Sequence, residues 1–311
     1  MLWTVDVPVG ISDRSVLDSG GWVAANALMA VIQLAGLLLV LALTRPWARR
    51  VPVWLLLVPV WIGTGLLFQV AVGAVLAALF SPAPPASTGG SDFGGIQPWV
   101  YVMVYAAFAG QGVALAIAFG CHVRARWSRL LGQPAGEVLA RRTARMRSWP
   151  EDHLVPTAEA VAALSVAVAF VCGYWAAGGT FGLSDAQSHL TLGMQASRVA
   201  GAVTAALGLL ALAGRWGSRT RFWLPAALTW LGSGALVAFD GLTLALNKLF
   251  ALFGTDAALS AWSLIDTVLV IKVVIGMLAA AVGAVAVNAA TRDDQKPADD
   301  LHPPAASAAH R

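Results

Sequence analysis

The chain has 311 residues, of which 58% are hydrophobic and only 12% are charged. Its mean hydropathy of +0.73 excludes a soluble globular protein, because the apolar residues form runs of bilayer-spanning length, about 20 residues of helix. Basic residues outnumber acidic ones by 20 to 16, but they cluster between the apolar runs, which indicates membrane topology and not a nucleic-acid-binding surface.

Seven apolar runs are long enough to be transmembrane helices. Backbone polar groups in lipid must be satisfied inside a helix or a closed β-barrel, and the runs lack the period-2 alternation of barrel strands. The predicted spans are residues 22–44, 53–80, 99–123, 155–178, 197–214, 222–247 and 262–290. We therefore predict an all-α membrane protein with seven transmembrane helices, of which the fifth is the shortest.

The positions of Arg and Lys predict the orientation, because cytoplasmic connections carry an excess of positive charge. Sixteen of the twenty basic residues fall after the first, third and fifth predicted spans and in the C-terminal tail. Arg14, Arg198 and Lys248 fall on the opposite side, and Lys272 is set aside because it lies within the seventh span. The N-terminus is thus predicted outside and the C-terminus inside, in the cytoplasmic membrane.

One segment of the chain occurs twice. Residues 42–67 align with 211–236 without a gap, and ten of the 26 positions are identical. Three tryptophans at a spacing of seven coincide, and that spacing returns a side chain to within about 20° on a helix. The first set is therefore expected to line one stripe, and so is the second if its helix extends into the preceding connection. The matched pairs are Trp47 with Trp216, Trp54 with Trp223 and Trp61 with Trp230.

Small residues follow the last tryptophan of each set, as Gly-Thr-Gly after Trp61 and Gly-Ser-Gly after Trp230. Such residues allow two membrane helices to approach closely. We therefore predict a packing seam between two parallel three-helix repeats, related by pseudo-twofold symmetry, with the fourth span as the linking element.

This interpretation divides the chain into six units. Within them, residues 81–98 are expected to form an outer loop and 136–146 a short surface helix. The units are an extracellular segment 1–21, repeat 1 at 22–123, an Arg-rich cytoplasmic loop 124–154, a linking helix 155–178, repeat 2 at 179–290 and a disordered cytoplasmic tail 291–311.

Three charged residues within the predicted spans are candidates for function, because a charge in hydrocarbon costs about 2.5–3.5 kcal/mol on insertion scales. Lys272 lies near the middle of the seventh span, Asp240 in the outer half of the sixth, and Asp266 one turn inside the outer end of the seventh. Asp266 and Lys272 are six residues apart and point about 120° away from each other on a helix. Asp240 is therefore predicted to be the counter-ion of Lys272.

Gln33, Gln69 and Gln111 lie at comparable depth on the first three spans. Together with the three charged residues, they are expected to surround a hydrated cavity that binds a small polar solute, as in a transport-type module. The first alternative is a structural ion pair between Asp240 and Lys272 that holds two spans together.

Two further alternatives remain open from the sequence. One is a non-catalytic scaffold or assembly subunit, whose Gly/Trp seam meets another membrane protein. The other is an intramembrane enzyme that uses Asp240 or Asp266 as an acid or base. The lipid bilayer is the expected environment in every case, and nucleic acid is not an expected partner.

No metal site, cofactor or catalytic residue is predicted. The histidines lack ligand spacing, and Cys121 and Cys172 are interpreted as small buried apolar residues. Lys272 in a seventh helix invites comparison with retinal Schiff bases, but Val268 stands where microbial rhodopsins carry an Asp.

Residues 174–183, Tyr-Trp-Ala-Ala-Gly-Gly-Thr-Phe-Gly-Leu, are followed by Arg215-Trp216 and by the span with Trp223 and Trp230. In these features the chain resembles uncharacterised actinobacterial-type multi-pass integral membrane proteins, which implies the same helical architecture and no established activity. The 3+1+3 plan is also similar to that of the SWEET sugar transporters. Their paired prolines are missing here, so this similarity concerns topology alone.

Overall fold

The computed structural model describes residues 10, 20–44, 53–80, 97–145, 152–183, 192–252 and 262–295. Regular structure in these residues is entirely helical. The helices are α1 (Gly20–Thr44), α2 (Val53–Phe80), α3 (Pro98–Gly132), α4 (Ala135–Arg145), α5 (Leu154–Ala176), α6 (Leu192–Leu212), α7 (Trp223–Leu252) and α8 (Leu264–Gln295).

Five helices in the described part of the chain are long and apolar enough to cross a membrane. They contain the segments Leu55–Gly73, Leu154–Ala176, Met194–Leu212, Trp223–Ala245 and Leu264–Arg292. Helices α1 and α3 contribute shorter apolar segments, Ala30–Ala42 and Gly110–Cys121. The protein is therefore an all-helical, multi-pass membrane protein, as the sequence predicts at this level.

The core lies among α5, α6, α7 and α8, and α2 packs against α6 and α7. Small residues permit this close packing. A Cβ atom on Gly232 of α7 would lie 2.2 Å from the backbone nitrogen of Ala205 on α6, and one on Gly208 of α6 would lie 2.4 Å from that of Thr229 on α7. Only glycine fits at such approaches, because any side chain would force the two helices apart.

The predicted contact between the two tryptophan-bearing segments is present where α2 meets α7. The indole N–H of Trp61 donates to the hydroxyl of Ser233 at 3.0 Å, and the indole N–H of Trp230 donates to that of Thr64, also at 3.0 Å. Both indoles therefore satisfy their donors across the same helix pair, as buried Trp N–H groups require.

The backbones of α2 and α7 touch one turn further along. A Cβ on Gly65 would lie 2.1 Å from the carbonyl carbon of Gly234, and a Cβ on Gly234 would lie 2.8 Å from the carbonyl oxygen of Trp61. The Gly/Trp seam, defined as Trp61, Thr64, Gly65 and their counterparts Trp230, Ser233 and Gly234, is therefore an internal packing surface of the chain.

A second contact joins two arginine-bearing segments. The short helix predicted over 136–146 is present as α4, and its first amides are bonded to the connection between α6 and α7: Ala135 N–H donates to the Thr220 carbonyl at 2.7 Å, and Gly136 N–H to that of Ser218 at 2.9 Å. The amide of Phe222 donates back to the carbonyl of Gln133 at 2.9 Å. The segments around Arg141 and Arg219 thus lie at the same end of the bundle.

Two helices extend beyond the predicted spans, and the second tryptophan stripe is incomplete. Helix α3 continues past residue 123 to Gly132, with a bend at Trp127, because Arg residues are good helix formers. Helix α6 begins at Leu192, five residues before the predicted start. Trp216 lies in the connection before α7 and not on it, so the second tryptophan stripe contains only Trp223 and Trp230.

Several predictions fall outside the described residues. These are the tryptophan and arginines of the connection after α1, most of the extracellular segment 1–21, most of the outer loop 81–98, and residues 296–311 of the tail.

Candidate functional site

Three charged side chains meet inside the bundle, one from each of α6, α7 and α8. Arg198 is 2% exposed, and Asp240 and Lys272 are fully buried. Lys248 near the end of α7 pairs with Asp266 in the first turn of α8, and Arg198 near the start of α6 pairs with Asp240 of α7. The start of α6, the end of α7 and the start of α8 therefore lie at one end of the bundle. At 1.5 Å per residue, Arg198 lies about 9 Å from the start of α6, Asp240 about 18 Å from the end of α7 and Lys272 about 12 Å from the start of α8.

Asp240 links the two cations. Its Oδ1 accepts a hydrogen bond from Arg198 Nε at 2.9 Å, and its Oδ2 forms an ion pair with Lys272 Nζ. The predicted pairing of Asp240 with Lys272 is confirmed, and Arg198 is a third member of the ion cluster.

Two glutamine side chains extend this group of polar residues. Gln195, one turn before Arg198 on α6, accepts a hydrogen bond from Arg198 Nη1 at 3.2 Å through its Oε1. Its amide Nε2 has no hydrogen-bond partner among the described residues. Gln69 of α2, 1% exposed, points at α6 one turn after Arg198: its Nε2 lies 3.2 Å from where a Cβ on Gly201 would be.

Neither side-chain polar atom of Gln69 has a hydrogen-bond partner in the described part of the chain. A buried amide without a partner costs about 1–3 kcal/mol. The unpartnered groups of Gln69 and Gln195 are therefore the strongest indication that this region meets another polar molecule.

Helix α5 contributes Cys172 to the surroundings of the cluster. The fully buried thiol of Cys172 lies within Coulombic range of Lys272, Arg198 and Asp240. The expectation that Cys172 is buried holds, and its surroundings are charged as well as apolar. Cys121, on α3, is exposed instead, contrary to the expectation that it is buried.

Asp266 is not part of this cluster. Its Oδ2 accepts hydrogen bonds from Lys248 Nζ at 2.9 Å and from the backbone N–H of Ser263 at 3.1 Å. The hydroxyl of Ser263 accepts a bond from the Asp266 amide at 3.4 Å. This reciprocal arrangement is a capping box at the first turn of α8. The structure thus assigns Asp266 a partner and a helix-capping role.

The other predicted glutamines are used between different helices. Gln111 of α3 donates from its Nε2 to the carbonyl oxygen of Gln33 on α1 at 3.4 Å, and it fills the space beside Gly36. Both residues are partly exposed. The six predicted site residues therefore divide into three groups: Asp240 and Lys272 with Gln69 nearby, Asp266 with Lys248, and Gln33 with Gln111.

Arg198 and Gln195 were missed by the reasoning from sequence. Arg198 is the second residue of the predicted span 197–214, and it is counted with the basic residues of the outer side in the predicted topology. The first two turns of α6 contain Gln195 and Ser197, which lower the local hydropathy and delay the apparent boundary. The spacing of Gln195 and Arg198, which places both on one helical face, was the signal that could have identified them.

The cluster contains two cations and one carboxylate. Buried apolar residues lie one turn away along the same helices: Leu236 before Asp240, and Leu269 and Ile275 before and after Lys272, so the local dielectric is low. Among the described residues, no group of three or more His, Cys, Asp or Glu side chains could hold a metal ion. The charged and amide groups of the cluster can form charge-assisted hydrogen bonds.

No family model matches the chain, and no curated protein and no solved structure is significantly similar to it.

Proposed function

We propose that this protein is a binding or transport-type module of the cytoplasmic membrane, with its solute site at Arg198, Asp240 and Lys272. One observation carries the proposal. Three ionisable side chains from three helices lie together, at most 2% exposed, inside an apolar bundle. Ionisable residues within membrane segments are costly and occur mainly where they act on a solute or ion.

The alternative of a structural clamp explains less of this arrangement. A clamp between α7 and α8 needs only Asp240 and Lys272, yet Arg198 and two partly or wholly unpartnered glutamines lie beside them. Replacing a buried ion pair by apolar residues of similar volume is often neutral or stabilising by about 1–4 kcal/mol. A cluster of this size is therefore not explained by stability.

The scaffold and enzyme alternatives receive no support from the contacts. The Gly/Trp seam that a scaffold was expected to present to a partner is occupied by the chain itself, between α2 and α7. Of the carboxylates that an enzyme was expected to use, Asp240 is engaged at both oxygens and Asp266 is held by Lys248 and Ser263.

The finer architecture belongs to the same proposal: seven spans, an external N-terminus, a cytoplasmic C-terminus, and two parallel three-helix repeats joined by α5. The reciprocal tryptophan contacts at equivalent positions of α2 and α7 support the repeat. The hydrogen bonds between α4 and the connection before α7 support a common cytoplasmic side for both arginine-bearing segments.

The test compares the wild-type protein with Lys272→Met and with the matched control Lys248→Met, which removes the same charge from the pair at Asp266. Each purified protein is heated in a panel of sodium chloride, sodium acetate, choline chloride, glycine, glutamine and glucose. We expect at least one solute to raise the Tm of the wild type and of Lys248→Met by roughly 2 °C or more, because a ligand stabilises the state that it binds.

Lys272→Met is expected to fold and to lose that response. The proposal fails if no solute in the panel stabilises the wild type, and the clamp is then the better explanation if Lys272→Met also cannot be recovered as a folded protein.

A further inference from the structure

We infer that the solute bound at this cluster is a small anion with a single negative charge, such as a halide or a short monocarboxylate. This inference rests on the proposed function and specifies its ligand. It follows from the charge balance at Asp240, from the kind of hydrogen-bonding groups that remain unpartnered, and from the engagement of every other described carboxylate in the candidate spans.

The charge balance is unequal. Arg198 and Lys272 are both directed at Asp240, so two positive groups share one negative group. An uncompensated charge is strongly disfavoured in a low-dielectric interior unless a counter-charge accompanies it. One further negative charge would neutralise the cluster.

The described part of the chain does not supply that charge. The candidate spans contain two other described carboxylates, on Glu159 and Asp266. Glu159 is paired with Arg215, and Asp266 with Lys248. A mobile anion would supply the compensating charge.

The unpartnered groups at the cluster are mainly donors. Lys272 Nζ and Asp240 Oδ2 pair with each other, and Gln195 Oε1 and Asp240 Oδ1 already accept from Arg198. Gln195 Nε2 makes no hydrogen bond among the described residues. Gln69 adds one unpartnered donor and one unpartnered acceptor. A ligand that only accepts hydrogen bonds, as an anion does, matches this set, whereas a cation would compete with Lys272 for the single carboxylate.

The experiment uses the full chain in nanodiscs of phosphatidylcholine, which has no net charge and so supplies no anionic headgroup. Equilibrium binding of radiolabelled acetate is measured, with competition by sodium chloride, sodium formate, choline, glycine and glucose at constant ionic strength. We expect saturable acetate binding that chloride or formate displaces. Displacement by formate but not by chloride would identify a carboxylate ligand, and displacement by chloride as well would identify a site for small anions in general.

Variants that change the charge of the cluster test whether the ligand is negatively charged. Lys272→Met leaves a neutral Arg198–Asp240 pair and is expected to raise the Kd for acetate about tenfold or more, since it removes a charged donor. Asp240→Asn leaves two cations without a carboxylate and is expected to lower that Kd. The control Lys248→Met leaves it unchanged.

Gln195→Leu covers the case in which Asp240→Asn does not fold, because it removes the amide without changing the charge. We expect it to raise the Kd for acetate, and to lower the Tm in the absence of the anion because Arg198 Nη1 loses its acceptor. Binding of choline, glycine or glucose without any binding of anions overturns the inference but leaves the proposed function standing. Absence of every form of solute binding overturns both.

Discussion

Trp61 and Trp230 lie 169 residues apart, and each donates its indole N–H to the hydroxyl group three residues after the other: Trp61 to Ser233, and Trp230 to Thr64. The contact is reciprocal, as in an interface between two like halves. The two tryptophans are not in identical surroundings, because Trp230 also stacks on Phe119 with 5.0 Å between ring centroids. The exchange of hydrogen bonds is thus the shared feature.

We expect the two indole bonds to contribute equally to stability. Ser233→Ala and Thr64→Val each remove one acceptor and should lower the free energy of unfolding by about 0.5–1.5 kcal/mol. Double-mutant cycles with Trp61→Phe and Trp230→Phe should give coupling of about 0.5 kcal/mol or more within each bonded pair. The measurement is unfolding in mixed micelles by denaturing detergent. If the effects of the two substitutions on the free energy of unfolding were additive in both pairs, this would contradict the reciprocal contact.

The glycines of the seam are expected to be intolerant of substitution. In Gly65→Ala the new Cβ would meet the carbonyl carbon of Gly234 at 2.1 Å, so α2 and α7 would have to separate, at a cost of about 1–3 kcal/mol or more. Gly173→Ala on α5 is the matched control, because no atom lies within 4 Å of its Cβ. That variant should be neutral or more stable by up to about 1 kcal/mol. Thermal unfolding of both variants measures the difference, and equal losses would contradict the close approach.

The sequence predicts the helical class and the partner of Lys272, because the hydrophobicity of a segment and the free-energy cost of a charge within it can both be read from the segment itself. Helix α2 spans Val53–Phe80 as expected, and Asp240 and Lys272 lie on consecutive helices, where few other counter-ions are available. Arg198 was not recognised as a site residue, because hydropathy places the boundary of a span by average composition, and this boundary lies several residues after the true start of α6. Gln33 and Gln111 could not be placed, since depth in the membrane does not specify which helices are neighbours.

The members of the ion cluster should differ sharply in their effect on stability. Asp240→Asn leaves Arg198 and Lys272 buried without a carboxylate and should cost about 3–5 kcal/mol. Lys272→Met should cost less, because the bonded pair of Arg198 and Asp240 remains neutral. The free energy of unfolding in chloride-free buffer measures both. If Lys272→Met were the more damaging change, the carboxylate would not be the centre of the cluster.

The capping box of α8 should affect stability without affecting ligand binding at the ion cluster. Ser263→Ala removes the hydroxyl that accepts from the Asp266 amide and should cost about 1 kcal/mol. Asp266→Asn weakens the bond from Lys248, which also lies 5.2 Å from the ring centroid of Trp262, so a similar loss is expected. Both losses should appear as lower Tm values with unchanged binding of acetate. Because Asp266 lies six residues, about 9 Å, along α8 from Lys272, a weakened affinity for acetate in Ser263→Ala would mean that the first turn of α8 belongs to the solute site.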